Sequence, residues 1–151
     1  MHSKSVIGQA EVARVLTAAR QQAQAQQWNV TIAVVDDGGQ LVLFQRMDGT
    51  KLVAIDIALR KARTAVFFQT ETRALEEEVT KGARTALLPI EGFMPLEGGV
   101  PLVAGDQIVG AHEVDVGDGR VERHGDGDLL DDFERALRLP DSVHGVRPRR
   151  R

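Results

Sequence analysis

Residues 88–111 read LPIEGFMPLEGGVPLVAGDQIVGA, and the order of glycines and apolar residues in this stretch decides the fold. Gly98 and Gly99 lead into an apolar strand over residues 100–104. Gly105-Asp106 is a tight turn, and residues 107–116 form the next strand. So short a turn pairs the two strands as an antiparallel hairpin. Two glycines before a strand mean that something approaches the backbone closely there, either a neighbouring chain segment or a ligand.

Working outward, a second hairpin precedes this one. Residues 29–36 are apolar at both parities from Val30 to Val35, so both faces of this strand are covered. Asp36-Asp37-Gly38-Gly39 is a turn signal, and residues 40–46 are the return strand. Before it, residues 7–27 form a helix with Val12, Leu16, Ala19 and Ala23 on one stripe and Ser5 as its cap. A second helix spans 51–68 with Leu52, Ile55, Leu59, Ala62 and Val66 as its apolar face. A third covers 72–81, capped by Thr72 and supported by the Glu77–Lys81 spacing. Residues 83–97, with Pro89 and Pro95, form a loop holding one short strand. Residues 117–128 are Gly/Asp-rich loop, and 129–139 make a last helix, with Leu130, Phe133 and Leu137 on one face, that Pro140 stops. Helix, hairpin, helices, hairpin, helix is an α+β order, an antiparallel sheet covered by helices. The expected organisation is a single domain over 1–140 and a basic, disordered tail over 141–151.

The chain has 151 residues, which suits one core. With no Cys, disulfides, zinc–thiolate sites and thiol nucleophiles are excluded, and a reducing cytoplasm is expected. No apolar run is long enough to span a bilayer, and no secretory signal pattern opens the chain. The net charge of −3 hides an asymmetry: before His144 stand all 22 acidic residues and 15 of the 19 Lys and Arg, a net of −7. Arg147, Arg149, Arg150 and Arg151 close the chain. An acidic body is a poor nucleic-acid surface. P-loop, GxGxxG and GxSxG patterns are absent, and the only serines, Ser3, Ser5 and Ser142, lie near the ends.

Four segments carry a resemblance: VTIAVVDDGGQLV, Arg46-Met47-Asp48-Gly49, AIDIALRKARTA and LEGGVPLVAGDQIVGA. In this order, over about residues 8–111, the chain resembles the GlcG/HbpS-like domain family, also found as the C-terminal domain of PduO-type proteins. The resemblance implies a profilin-like α-β-α architecture and homo-oligomers from dimers to octamers. It also implies haem binding or handling, with links to glycolate, propanediol and corrinoid metabolism. The chain departs from the family after Ala111, where Gly110-Ala111-His112-Glu113-Val114-Asp115-Val116 replaces a small-residue turn, so remodelling of the last strand and helix is expected.

Three places can carry chemistry. Arg46 to Thr50 lead into the second helix, whose N-terminus can hold a carboxylate or propionate with Arg46 as a bidentate partner. Alternatively Asp48 or Thr50 simply caps the helix and Arg46 pairs with an acid. Lys61 borders the helix's apolar stripe and can point an ammonium at a ligand acid, or snorkel at the surface. Glu97-Gly98-Gly99 offers an acid, base or metal ligand beside backbone N–H groups, or a bulge at the start of a strand. Haem iron wants His, Met, Cys or Tyr. The chain offers Met47, Met94, His2, His112, His124 and His144, and the methionines read better as packing. His112, Glu113, Asp115 and His124 match no tight metal spacing, nor do the 118–119 and 126–128 Asp/Gly runs match a calcium loop, so no metal site is expected.

Three functions remain open: a module binding haem or a related tetrapyrrole between the Arg46–Lys51 turn and Glu97–Gly99; an enzyme on a small organic acid; and an accessory subunit with a vestigial pocket. In the enzyme, Arg46 and Lys61 hold the acid, Glu97 or Asp48 moves a proton, and the Gly98 and Gly99 amides stabilise an oxyanion.

Overall fold

The computed structural model describes residues 4–115. The last helix expected over 129–139, the loop before it, the basic tail and the end of the domain lie outside these residues, as do His2, His124 and His144. The elements are α1 (Gln9–Ala25), β1 (Thr31–Asp36), β2 (Leu41–Arg46), α2 (Ala54–Phe68), α3 (Thr72–Thr80), β3 (Gly99–Ala104) and β4 (Gln107–Asp115), with one 3-10 turn at Thr85–Leu87. The strands form one antiparallel sheet in the order β2-β1-β4-β3.

Helices cover both faces of the sheet. Ile32 and Val34 of β1 pack with Val12, Val15, Ala19 and Ala23 of α1, together with Leu102 and Val109. Val35 and Ala111 pack on the other side against Ala62, Ala65 and Val66 of α2. That explains the unbroken apolar run in β1: alternate side chains serve two different cores. The result is the expected α+β, profilin-like α-β-α sandwich.

Three local expectations change. The stretch 83–97 holds the 3-10 turn and no strand. Ser5 and Thr72 are not caps: Gly8 and Glu71 occupy those positions, and neither makes a side-chain cap hydrogen bond. In α2 the buried face is Ala54, Ala58, Lys61, Ala62, Ala65 and Val66, whereas Leu52 and Ile55 are exposed. Alanines let the helix lie close on the sheet, so the large residues turn outward.

The sheet has two distinct ends. At one end lie the β1–β2 turn and the β3–β4 turn. Lys4 pairs with Asp37, and the Ser5 N–H donates to Gln107 Oε1 at 3.0 Å, so the N-terminal segment ties both turns together. The C-terminal half of α2 docks here too, through Arg63 Nε donating to the Gly39 carbonyl at 2.9 Å. At the opposite end lie Arg46, the start of α2 and Gly98-Gly99.

Candidate functional site

Arg46 closes β2 opposite Thr31, and Thr31 lies opposite Asp115 of β4. Gly99 opens β3 opposite Glu113. Arg46 and Gly99 are therefore at the same end of the sheet but on opposite edge strands. Three strand spacings separate them, about 15 Å. Between them runs the 47–53 segment and the start of α2, where Leu52 is 73% exposed, Val53 58% and Ile55 39%.

The turn after β2 is closed by its own groups. The Thr50 hydroxyl donates to the Met47 carbonyl at 2.6 Å, and the Thr50 N–H donates to the same carbonyl at 3.3 Å. Neither Asp48 nor Thr50 caps α2: its N-cap position is Val53, with no side-chain cap bond, and the helix starts at Ala54 rather than 51. Asp48 and Arg46 are exposed. The N–H groups of Ala54, Ile55 and Ile57 donate to the Lys51, Leu52 and Val53 carbonyls, so the first turn is closed by backbone. Arg46 and Lys51 supply positive charge beside an exposed apolar surface, an arrangement suited to an anion on a greasy body.

Lys61 does not snorkel at the surface. It is fully buried on the sheet side of α2, and its Nζ sits 3.0 Å from Glu113 Oε1, with Glu113 buried as well. The glycine pair lies on top of these two residues. A Cβ on Gly98 would stand 2.8 Å from Glu113 Oε2, and Gly98 has φ +127°. A Cβ on Gly99 would stand 2.7 Å from the Lys61 carbonyl and 2.8 Å from Thr72 Cγ2. The close approach that the glycines permit is therefore that of neighbouring chain segments. The Gly99 N–H donates to Thr72 Oγ1 at 2.8 Å, so it is already engaged and does not face a developing oxyanion.

Glu97 is half-buried beside α3. Its N–H donates to Glu76 Oε2 at 2.9 Å, and its carboxylate lies 3.8 Å from Arg73 Nε. The Met94 N–H donates to Thr64 Oγ1 at 2.9 Å, so the non-strand segment before β3 is pinned to both α2 and α3. Arg73, Glu76 and Thr72, absent from the sequence reading of the site, hold Glu97 and Gly99 in place.

β4 runs without a break to Asp115, so the remodelling expected after Ala111 does not interrupt the strand over the described residues. His112 lies on the α1 face, opposite Val34 on one side and Val100 on the other. It is buried, and its Nδ1 has no hydrogen-bond partner among the described residues. Burial pushes its pKa from 6.5 down to about 4. An imidazole harder to protonate when folded favours the unfolded state in acid. Its contribution to stability is complete above pH 6.5 and is lost as pH falls toward 4, a loss of about 3 kcal/mol. Denaturant titrations across this range should show that loss, and His112→Leu should flatten it. A wild-type curve level down to pH 4.5 would mean that His112 is not held neutral in the core.

Among the described residues no group of three His, Cys, Asp or Glu is placed to hold a metal ion, and no helix is long and apolar enough to cross a membrane.

Comparison with known proteins identifies the family and the fold. A family model described as "Haem degrading protein HbpS-like" matches residues 7–119. Protein GlcG of Escherichia coli (strain K12) is 41% identical over 111 residues, covering 74% of this chain and 82% of that one. A Streptomyces reticuli HbpS double mutant superposes with a TM-score of 0.74 at 27% identity, covering 96% of this chain and 91% of that chain. A structure described as a PduOC:heme complex superposes with a TM-score of 0.68 at 24% identity, covering 87% and 90%. The last likeness shows the shared fold.

Proposed function

We propose, for a chain that belongs to the HbpS-like family, that it binds haem or a related tetrapyrrole across the end of the sheet that carries Arg46 and Gly98-Gly99. The observation that carries this reading is the exposed Leu52–Val53–Ile55 surface at the start of α2, the end of the sheet to which two polar borders also belong. On one side stand Arg46 and Lys51, and on the other Glu97 beside Arg73. A flat apolar ring with acidic side chains matches that sequence of surfaces. A small organic acid would not reach both borders, about 15 Å apart across three strand spacings. The engaged Gly99 amide also removes one of the oxyanion donors that an enzyme on such an acid would use.

The residues fit the ring and its acid groups. Arg46 would hold a propionate by charge-assisted hydrogen bonds, aided by Lys51. When bound, haem would supply its iron as a centre for further ligands. His112 does not serve as its ligand in this fold, because it is enclosed on the α1 face of the sheet.

Haemin titration followed by Soret absorbance and by quenching of the one tryptophan, Trp28, tests the proposal. Saturable binding at fixed stoichiometry is expected. Arg46→Ala should weaken it about tenfold, the loss of one charge-assisted hydrogen bond. A linear, unsaturable signal, or an Arg46→Ala variant that binds as wild type, would reject this site. Leu41 and Val42 on the exposed edge strand β2 support self-assembly into homo-oligomers, for which light scattering of purified protein is the direct measurement.

A further inference from the structure

We infer that the buried Lys61–Glu113 pair positions the Glu97–Gly99 border of the proposed tetrapyrrole site, an inference that rests on that functional reading. A charged pair in a protein core is seldom the most stable filling of its volume; apolar residues of similar size commonly do as well or better. Here the pair sits where three backbones meet. Glu113 rises from β4 under Gly98, and its two oxygens stand 2.8 and 2.9 Å from the place a Cβ would take there. Lys61 reaches Glu113 Oε1 at 3.0 Å, while its own carbonyl abuts Gly99. Thr72 of α3 takes the Gly99 N–H at 2.8 Å and donates back to the Gly99 carbonyl at 3.4 Å.

The carboxylate thus occupies the room that a side chain at 98 would fill, and it lies against the bend at that residue, where φ is +127°. The turn at Gly98 sets the direction from which Glu97 leaves the backbone. Glu97 then meets Arg73 and Glu76 of α3. Lys61 fixes the carboxylate, the carboxylate fixes the bend at Gly98, and the bend fixes Glu97. Lys61 and Glu113 touch no ligand in this arrangement: they are positioning residues.

The test separates positioning from stability. The double variant Lys61→Met/Glu113→Leu fills the same volume without charge, and Glu113→Asp keeps both charges but withdraws the carboxylate by one methylene. Each is compared with wild type by denaturant unfolding, by hydrogen exchange at the amides of 97–99, and by haemin titration. The double variant should keep a cooperative transition, exchange these amides at least tenfold faster and bind haemin at least tenfold more weakly. Glu113→Asp should shift exchange and affinity in the same direction, and it decides the matter if the double variant does not fold. Unchanged exchange at 97–99 in a folded variant would overturn the inference. Should wild-type protein fail to bind haemin saturably, the functional reading falls, while the exchange data still decide whether the pair holds the bend.

Discussion

Lys61→Met alone should destabilise the protein by about 3–5 kcal/mol, because it leaves the Glu113 carboxylate buried without the ammonium that faces it. The two side chains are 3.0 Å apart and lie between α2 and β4, inside the sandwich. Removing the ammonium leaves a carboxylate in a buried site where its charge is costly, which favours its protonation or an opening of the core. A sequence-only reading of Lys61 as a surface residue would expect a change within about 0.5 kcal/mol. Urea unfolding of the single variant distinguishes the two: a midpoint shift of that small size would show that the pair contributes nothing to the core.

Gly99→Ala should cost about 1–3 kcal/mol by overpacking. Its methyl would stand 2.7 Å from the Lys61 carbonyl and 2.8 Å from Thr72 Cγ2, and the first of these is backbone in the middle of a helix that cannot step aside. Gly98→Ala adds backbone strain of about 1–3 kcal/mol, since φ +127° is a conformation L-residues rarely adopt. The same methyl would press on the Glu113 carboxylate, so this variant should also loosen the bend. By contrast, Gly105→Ala has open space around its Cβ and only the φ of +63° to overcome, so it should cost less than either. Thermal unfolding of the three variants gives the ranking. Equal shifts would mean that residues 98 and 99 are free to move away from α2 and β4.

The arrangement of the sheet could be read from the sequence because turn chemistry is local. Asp36-Asp37-Gly38-Gly39 and Gly105-Asp106 mark both hairpins, and the unbroken apolar run from Val30 to Val35 marks the strand covered on two sides. The buried face of α2 could not be read in the same way. Periodicity followed the large residues Leu52, Ile55 and Leu59, while the face that packs is built from Ala54, Ala58, Ala62 and Ala65. Small residues carry little hydropathy signal, but they let a helix approach a sheet closely. That one rotation explains the misplacement of Lys61, which belongs to the alanine face. His112 and Glu113 were obscured for a related reason: polar side chains read as solvent-facing, yet β4 is an inner strand with a helix over each face. Of the proposed site, Arg46 and the glycines were visible as motifs. Their separation on opposite edges was not, because it depends on strand order, and that is set by contacts far apart along the chain.

The N-terminal segment, stitched to both turns through Lys4–Asp37 and Ser5–Gln107, gives the molecule a practical orientation. A tether or fusion partner attached ahead of residue 4 would leave from the pole remote from Arg46 and Gly98. Protein captured on a sensor chip by that end would hold the proposed binding surface toward the flowing solution, with the sandwich itself as the spacer.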